Sequence, residues 1–351
     1  MMIYDIAIIG AGASGLMCAS MLNNSKQKVV LLESSSSCAN KIMISGGAKC
    51  NITNRYMDIS KFLCDEHFVQ KSLYKFDHKD MLNFLKENQI YPMLNEKIVK
   101  GSYFCKNSKQ VVDMFLRLTT NIKKELNFKV LDITYKDNIF DIVSKNHTIK
   151  AVKVVVASGG KSFETLGSSD IAYDIAKKFG HKIITTAPAL VGWTVQKEQF
   201  WFKSLSGLSL DVKIKINNKT IYGSMLFTHK GCSGPAVLNA SLYWTKGFVT
   251  IDFAPNQNSH LPRRFRQIAK KEGIDLKNYT FAPAGNFGYT KAEITKGGVD
   301  TNQIDEETFQ SKLQKNLFFI GELLDVSGQL GGYNLQWAIN NGFICGKFLK
   351  N

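Results

Sequence analysis

The sequence predicts an α/β fold in which a β-rich segment interrupts a nucleotide-binding unit. Residues 3–33 read as a strand, a glycine turn, a helix and a second strand. Residues 317–351 repeat that order, with a short apolar run, several glycines and a helical segment. Between them, much of 187–300 alternates apolar and polar residues, which is typical of antiparallel strands.

The first glycine turn has the spacing G-x-G-x-x-G at Gly10, Gly12 and Gly15. The first glycine permits a tight turn, the second lets the backbone approach a pyrophosphate, and the third lets the helix pack close to the strand. Glu33 ends the second strand, where a carboxylate can accept hydrogen bonds from an adenosine ribose. The combination predicts a dinucleotide site, against the alternative of a purely structural glycine turn. These residues alone leave NAD and FAD open.

Composition limits the class of protein. The 351 residues suffice for two or three structural units, and 44% hydrophobic residues is typical of a globular chain. No apolar run reaches the length of a membrane span, and the first strand begins too early for a signal peptide. We therefore expect a cytoplasmic protein with no membrane partner. The seven cysteines are scattered without a C-x-x-C pair, which favours reduced thiols over a metal site.

The chain is basic, with 45 Lys plus Arg against 29 Asp plus Glu and a net charge of +16. The favoured interpretation is a solvated lysine-rich surface. The alternative is attraction to an anion: a phosphorylated nicotinamide donor, an acidic substrate or RNA. A nucleic acid partner is disfavoured because no basic stripe interleaved with aromatic residues stands out. The oligomeric state is not predicted. The densest cationic cluster consists of Arg263, Arg264, Arg266, Lys270 and Lys271.

The elements between the two glycine turns follow from periodicity. Residues 34–54 predict a long polar loop, and 59–126 predict a mostly helical region. Alternating apolar residues predict antiparallel strands near 139–143 and 149, and a buried run at 152–157 precedes Ser158-Gly159-Gly160. A helix is expected over 171–179.

The β-rich segment contains a hairpin signature, with strands near 212–216 and 221–227 around Asn217-Asn218. Pro235 is expected at the first position of a helix. His229, in the loop before it, is a candidate proton donor, although a histidine simply hydrogen-bonded in a loop is the more common case. The basic residues of 260–272 predict one short helix.

In order, the chain shows the blocks GAGASGL, KIMISGGAKCNITN, ASGG, APALVGWTV, LFTHKGCSGPAVL, TKGGV and GELLDVSGQLGGYNLQWA. These blocks resemble the BaiN/RdsA-type flavoproteins, also called aminoacetone oxidase family FAD-binding enzymes, over nearly the whole chain. The resemblance implies a two-dinucleotide-type Rossmann FAD-binding fold that is discontinuous in sequence. Its FAD-binding domain would cover 1–186 and 301–351, and an inserted antiparallel β-rich domain would cover 187–300. The family's helical insertion would be shortened here.

The resemblance also implies which residues hold FAD. Lys49 departs from the family's pattern, where many relatives have arginine, and lysine keeps the charge but lacks the planar fork for a bidentate contact. The implied cofactor-binding residues are Gly10, Gly12, Ala13, Ser14 and Gly15 at the pyrophosphate, Glu33 at the ribose, Val130 at the adenine, Ala157, Ser158 and Gly159 at a strand end, Gly321 and Glu322 at the ribityl chain, and Lys41, Ser45, Gly46, Gly47, Asn51, Gly332, Tyr333, Asn334 and Leu335 near the flavin ring.

The function that the resemblance implies is an FAD-dependent oxidoreductase with hydride transfer between flavin N5 and a small organic substrate. NAD(P)H is a candidate transient donor, because the chain has no second G-x-G-x-x-G to bind it stably. His229, Lys49 and Tyr333 are the candidate catalytic residues. Two alternatives stay open, an RNA-acting flavoprotein resembling tRNA-modifying enzymes and a non-catalytic FAD-binding regulator.

Overall fold

The computed structural model describes residues 2–95, 99–163, 170–256 and 261–351. The chain forms two compact units. The larger unit contains Met1–Thr186 and Thr295–Asn351, and the inserted unit contains Ala187–Ile294. Residues 295–300, which were expected in the insertion, are part of the larger unit.

Helices and strands are numbered in chain order. The α-helices are Ala13–Leu22 (α1), Asn40–Ala48 (α2), Glu66–Lys75 (α3), His78–Glu87 (α4), Ser108–Leu118 (α5), Ile171–Lys178 (α6), Pro235–Tyr243 (α7), Arg263–Lys271 (α8) and Tyr333–Lys350 (α9). The strands are Ile3–Ile9 (β1), Val29–Leu32 (β2), Asn51–Asn54 (β3), Phe62–Leu63 (β4), Met93–Asn95 (β5), Ser102–Phe104 (β6), Lys123–Glu125 (β7), Val130–Lys136 (β8), Ile139–Ser144 (β9), Thr148–Val156 (β10), Ile183–Ala189 (β11), Trp193–Thr194 (β12), Ser209–Ile216 (β13), Lys219–Thr228 (β14), Gly231–Ser233 (β15), Val249–Asp252 (β16), Tyr279–Phe281 (β17), Gly285–Asn286 (β18), Ile294–Val299 (β19), Leu317–Phe319 (β20) and Ser327–Gly328 (β21).

The larger unit is organised around a sheet with five parallel strands in the order β7-β2-β1-β10-β20. The first half of β10 also pairs with β9, which begins an antiparallel meander with β8. Ile6, Ile8 and Ile9 of β1 are buried, as a strand covered on both faces requires. The predicted α/β fold with a parallel Rossmann sheet is confirmed.

Two expectations about local structure were wrong. The loop predicted over 34–54 contains α2 and β3, and the described residues of 59–126 are helical only in α3, α4, α5 and a short 3-10 helix at Ile59–Lys61. β3 pairs with β6, and β6 pairs with β5, in a small antiparallel sheet. Because β3 meets its partner some fifty residues along the chain, its pairing leaves no local pattern in the sequence.

The inserted unit is built on an antiparallel sheet in the order β17-β16-β13-β14-β15-β12-β18. The predicted hairpin is present as β13 and β14, with Ile216 opposite Lys219. Pro235 begins α7 directly after Gly234, as expected. This unit has a hydrophobic core of its own, whose residues all lie between Trp193 and Phe281.

All seven cysteines are free thiols. No helix in the described ranges is long and apolar enough to cross a membrane. The longest, α9, has 18 residues and carries Gln336, Asn340 and Asn341 on its buried side. These amides hydrogen-bond within the protein. For example, the Thr53 hydroxyl donates to Gln336 Oε1 at 2.7 Å.

Candidate functional site

The carboxyl ends of the central parallel strands meet at one edge of the sheet. Ile9 of β1 lies opposite Val156 of β10, which lies opposite Phe319 of β20. The Ala157 N–H donates to the Ile9 carbonyl at 2.8 Å, and the Ile320 N–H donates to the Val156 carbonyl at 3.0 Å. The glycine-containing turns that follow these strands therefore emerge side by side, where open α/β sheets bind their ligands.

The first glycine turn allows no larger residue at two positions. Gly10 has φ +103°, and a Cβ on Gly10 would lie 2.6 Å from the Ala157 carbonyl oxygen. A Cβ on Gly15 would lie 1.9 Å from the Gly10 carbonyl oxygen, so the start of α1 packs directly on the turn. By contrast, no atom in the described part of the chain lies within 4 Å of a Cβ built on Gly12. The second glycine of the motif thus faces open space.

Glu33, directly after the neighbouring strand β2, hydrogen-bonds to the first glycine turn. Its Oε2 accepts a hydrogen bond from the Ala11 N–H at 2.8 Å, and its Oε1 accepts from the Ser35 N–H at 2.9 Å. The Phe128 N–H donates to the Glu33 backbone carbonyl at 2.8 Å, which brings the chain leading to Val130 beside the backbone of Glu33. The structure thus places the residues expected at the adenosine half of a dinucleotide next to one another.

A polar cluster surrounds Glu322, just after β20. Its Oε2 lies 2.5 Å from Nζ of Lys41, and its Oε1 accepts from the Thr295 N–H at 2.9 Å and the Ser162 hydroxyl at 3.3 Å. Thr295 and Ser162 were not predicted from the sequence as partners. Thr295 lies in the TKGGV block, but nothing in a single sequence links it to Glu322, 27 positions away.

Three segments of the larger unit lie close together: the end of α2, the strand β3 and the start of α9. The helix α2 loses helical geometry at Ser45, Gly46 and Gly47, and a Cβ on Gly46 would lie 2.8 Å from the Asn51 N. In the orientation that satisfies both its amide atoms, Asn51 donates to the Tyr103 carbonyl and accepts from the Gly332 N–H, both at 3.2 Å. Asn51 therefore fixes the residue that caps α9.

The N-terminus of α9 is available to a ligand. Gly332 has φ +93°, and no side chain caps the helix. In the described part of the chain, the N–H groups of Tyr333, Asn334 and Leu335 have no acceptor. The Asn334 side chain instead holds Gly328, accepting from its N–H and donating to its carbonyl, both at 2.8 Å. Free N–H groups and the positive end of the helix dipole favour an anionic group at this position.

The three candidate catalytic residues occupy different environments. Tyr333 is 4% exposed, its hydroxyl donates to the Tyr56 carbonyl at 2.7 Å, and burial raises the pKa of this phenol well above its usual range. Lys49 is exposed at the end of α2. His229 is exposed in the turn between β14 and β15 of the inserted unit. Tyr333 and Lys49 thus belong to one unit and His229 to the other.

The strand-end turns suit a dinucleotide. The Oγ of Ser158 is shielded from solvent without a hydrogen-bond partner in the described residues. A Cβ on Gly10 would lie 2.7 Å from Cα of Ser158, so the backbone of Ser158 packs against the first turn. A Cβ on Gly159, like one on Gly12, would meet no atom of the described residues within 4 Å. A diphosphate here would meet unpaired donors and an opening that side chains leave free.

The parallel sheet, with the glycine turn at the carboxyl ends of its strands, defines a protein with a Rossmann nucleotide-binding fold. The chain belongs to the HI0933-like family, whose Rossmann-domain model matches residues 4–348.

Curated relatives align along essentially the whole chain. The ribosomal RNA dihydrouridine synthase of Escherichia coli K12 is 32% identical over 394 aligned positions, covering 99% of this chain and 98% of the relative. The 3-dehydro-bile acid delta(4,6)-reductase of Clostridium scindens is 26% identical, covering 97% and 98%.

Among solved structures, the 3-ketosteroid-Δ4-(5α)-dehydrogenase of Rhodococcus jostii RHA1 has a TM-score of 0.57 at 11% identity, covering 99% of this chain and 97% of that one. This likeness concerns the fold.

Proposed function

We propose that the protein is an FAD-dependent reductase that saturates a carbon–carbon double bond conjugated to a carbonyl, with uridine in ribosomal RNA as substrate and NADH or NADPH as transient donor. The observation that carries the substrate is the 32% identity to a ribosomal RNA dihydrouridine synthase over 99% of this chain. The net charge of +16 supports a polyanionic substrate. The proposal replaces the small organic substrate that was favoured from the sequence.

The names of the two relatives describe the same bond change. A dihydrouridine synthase saturates the uracil double bond next to a ring carbonyl, and a delta(4,6)-reductase acts on double bonds conjugated to the 3-oxo group of its steroid. When bound, FAD supplies the hydride at N5, and a protein acid or water supplies the matching proton. Electrons and atoms balance as one hydride and one proton added to the double bond, with NAD(P)H oxidised to NAD(P)⁺.

The residues of this chain would divide the cofactor between them. The turn at Gly10–Gly15 and the Ser158 hydroxyl would hold the pyrophosphate, and Glu33 would hold the ribose of the adenosine. Glu322, oriented by Lys41, would bind the ribityl chain. The free N–H groups at the start of α9 would lie against the N1–C2 carbonyl edge of the flavin and favour its anionic reduced form.

We assign the proton donor to Lys49 or His229, because the hydroxyl of Tyr333 is held by the Tyr56 carbonyl. Both side chains are exposed, and an ammonium or an imidazolium can donate a proton near neutral pH. The variants Lys49→Met and His229→Gln separate them. The donor's variant should reduce flavin with NAD(P)H at the wild-type rate but reoxidise slowly with substrate. Equal reoxidation in both variants would assign the proton to water.

The redox half of the proposal is tested without any substrate. The purified yellow protein is mixed anaerobically with NADH and, separately, with NADPH. The visible absorbance of the oxidised flavin is followed over time. We expect rapid bleaching with at least one donor. A flavin that stays oxidised with both would exclude a pyridine-nucleotide reductase and favour the non-catalytic regulator.

The substrate half uses ribosomal RNA transcribed in vitro, which contains no dihydrouridine. Reduced enzyme should convert uridine to dihydrouridine, measured by mass spectrometry of the digested RNA. The second candidate, a reductase of a small enone, is favoured by the bile acid reductase relative. Reoxidation by a 4,6-dien-3-one steroid, with no dihydrouridine formed, would decide for it.

A further inference from the structure

The inserted unit carries a concentrated cationic surface on α8. Five of the nine residues of this helix are Arg or Lys, namely Arg263, Arg264, Arg266, Lys270 and Lys271, and none is acidic. All five are exposed. The nearest carboxylate is that of Glu272, 3.9 Å from Lys271, and in the described residues the other four cations have no acidic partner.

The apolar side of α8 is fully used for packing. Phe265 and Ala269 are buried in the core of the inserted unit. The Phe265 ring lies 5.1 Å from that of Phe253 and 6.0 Å from that of Phe227. A basic amphipathic helix binds a membrane by inserting its apolar face. Because that face is already buried, α8 presents charged and polar side chains to a partner.

The three arginines of α8 are placed against the stability of the helix itself, whereas Lys270 and Lys271 lie in the last turn, where positive charge is favoured. Arg263, Arg264 and Arg266 lie in the first turn, where the helix dipole disfavours positive charge and where the helix has no acidic residue. Arg266 and Lys270 also form a like-charge pair four residues apart, which is unfavourable. Side chains that destabilise their own helix, with no compensating contact inside the protein, indicate a role in binding another molecule.

An exposed aromatic residue lies on the neighbouring element. The 3-10 helix Lys197–Leu205 packs against α8 through Trp201, whose ring lies 6.5 Å from that of Phe265. On this 3-10 helix, Phe200 is 44% exposed and Nζ of Lys203 lies 3.5 Å from its ring centre. The fold therefore places an exposed aromatic residue on the element that packs against α8.

We propose that α8 and Phe200 form an RNA-binding surface, in which the five cations contact phosphates and Phe200 stacks on an unpaired base. This inference rests on the proposed ribosomal RNA substrate. Arginine suits the role because its planar guanidinium binds phosphate through two N–H groups and also stacks on bases. The phosphate contacts carry affinity and its salt dependence, whereas the stacking contact adds affinity without counterion release.

The test compares two triple variants of the holoenzyme with the wild type. Arg263→Gln/Arg264→Gln/Arg266→Gln removes three cations of α8. The matched control, Lys86→Gln/Lys136→Gln/Lys145→Gln, removes three exposed lysines of the larger unit that have no acidic partner among the described residues. Binding of in vitro transcribed ribosomal RNA is measured over a range of salt concentrations, together with FAD content and the rate of flavin reduction by the donor.

We expect the α8 triple variant to lose affinity on the order of 100-fold at ~0.1 M salt, and its salt slope to fall by about one for each phosphate contact removed. The control variant should change both much less, and the flavin properties of all three proteins should agree. Phe200→Ala should weaken binding by roughly 10-fold without altering the salt slope.

Equal losses in the two triple variants would overturn the inference, because they would show a diffuse charge effect. If Phe200→Ala bound RNA with wild-type affinity, Phe200 would not be part of the RNA-binding surface. Wild-type binding to vesicles of equal parts phosphatidylcholine and phosphatidylserine that depends on α8, without an effect on RNA, would also overturn it. If wild-type protein neither binds nor reduces the RNA, the proposed substrate itself fails.

Discussion

At the scale of single residues, a substitution at Gly12 tests cofactor binding without disturbing the fold. Its Cβ position is open and its φ is −82°, so alanine fits the folded chain. The added methyl would occupy the space that a pyrophosphate needs. We predict that Gly12→Ala lowers FAD affinity by roughly 10- to 100-fold, or about 1.4–2.8 kcal/mol. Fluorescence titration of the apoprotein with FAD measures this change.

Two further variants control that prediction. Gly285→Ala, whose Cβ would make an ordinary contact at 3.5 Å with the Thr194 hydroxyl, should bind FAD normally. Gly15→Ala, whose Cβ would clash at 1.9 Å with the Gly10 carbonyl oxygen, should lose both FAD and stability. If Gly12→Ala bound FAD with wild-type affinity, the pyrophosphate could not lie against this turn.

Asp325 makes stability depend on pH. Burial, and secondarily the charge of Asp300, raise the pKa of its carboxyl to about 6. Between ~4, the unfolded value, and about 6 the folded state binds the extra proton, so the contribution of Asp325 to stability falls as pH rises through this window. After allowance for partial exposure, Asp325→Asn should stabilise the protein by about 1–2 kcal/mol above pH 6.

Melting temperatures of wild type and Asp325→Asn from pH 4 to pH 8 check this prediction. The curves should separate above the raised pKa and converge near the acid end. Asp211→Asn, a change at an exposed acid, is measured in parallel as the control. A constant offset between wild type and Asp325→Asn across the range would contradict the assigned titration.

At the scale of elements, α8 has two faces with separable roles. Phe265 is completely buried among aromatic rings, and Arg264 is exposed on the same helix. Phe265→Ala should lower the free energy of unfolding of the inserted unit by about 3–5 kcal/mol, because it leaves a cavity. Arg264→Ala should change it by less than ~0.5 kcal/mol.

Tryptophan fluorescence during denaturant unfolding measures both variants, since Trp193, Trp201 and Trp244 all lie in the inserted unit. A Phe265→Ala variant as stable as Arg264→Ala would mean that α8 does not pack on the core as described.

Elements with a strong local pattern were predictable. The buried run of β1, the hairpin of β13 and β14 and the proline start of α7 each carry their own signature in adjacent residues. The helix α2 carries none, because Ile42 is its one buried residue and two glycines lie near its end. Such a helix depends on tertiary contacts, here including those with α5. For the same reason β3, paired far along the chain, was taken for loop.

At the scale of the whole molecule, the site combines segments that the sequence keeps apart. The strand-end turns were predictable, because parallel strands of one sheet must end at one edge. The pairing of Lys41 with Glu322, 281 positions away, came only from the fold. Thr295 stayed hidden because its contact with Glu322 uses a backbone N–H, which every residue type except proline offers.

The two hydrophobic cores indicate that the larger unit can fold without the insertion. The core of the larger unit includes no buried residue between Ala176 and Val299, and the inserted core lies wholly within the gap. The chain ends left by excision are close, since a Cβ on Gly297 would lie 2.3 Å from the Thr185 carbonyl oxygen.

Replacing residues 187–294 by about four Gly/Ser residues should therefore give a yellow protein whose flavin spectrum resembles that of the full chain. Because the excised unit carries α8, this protein should not bind ribosomal RNA at low salt. Colourless or aggregated protein would show instead that the FAD unit needs the insertion to fold, and retained RNA affinity would place the RNA on the larger unit.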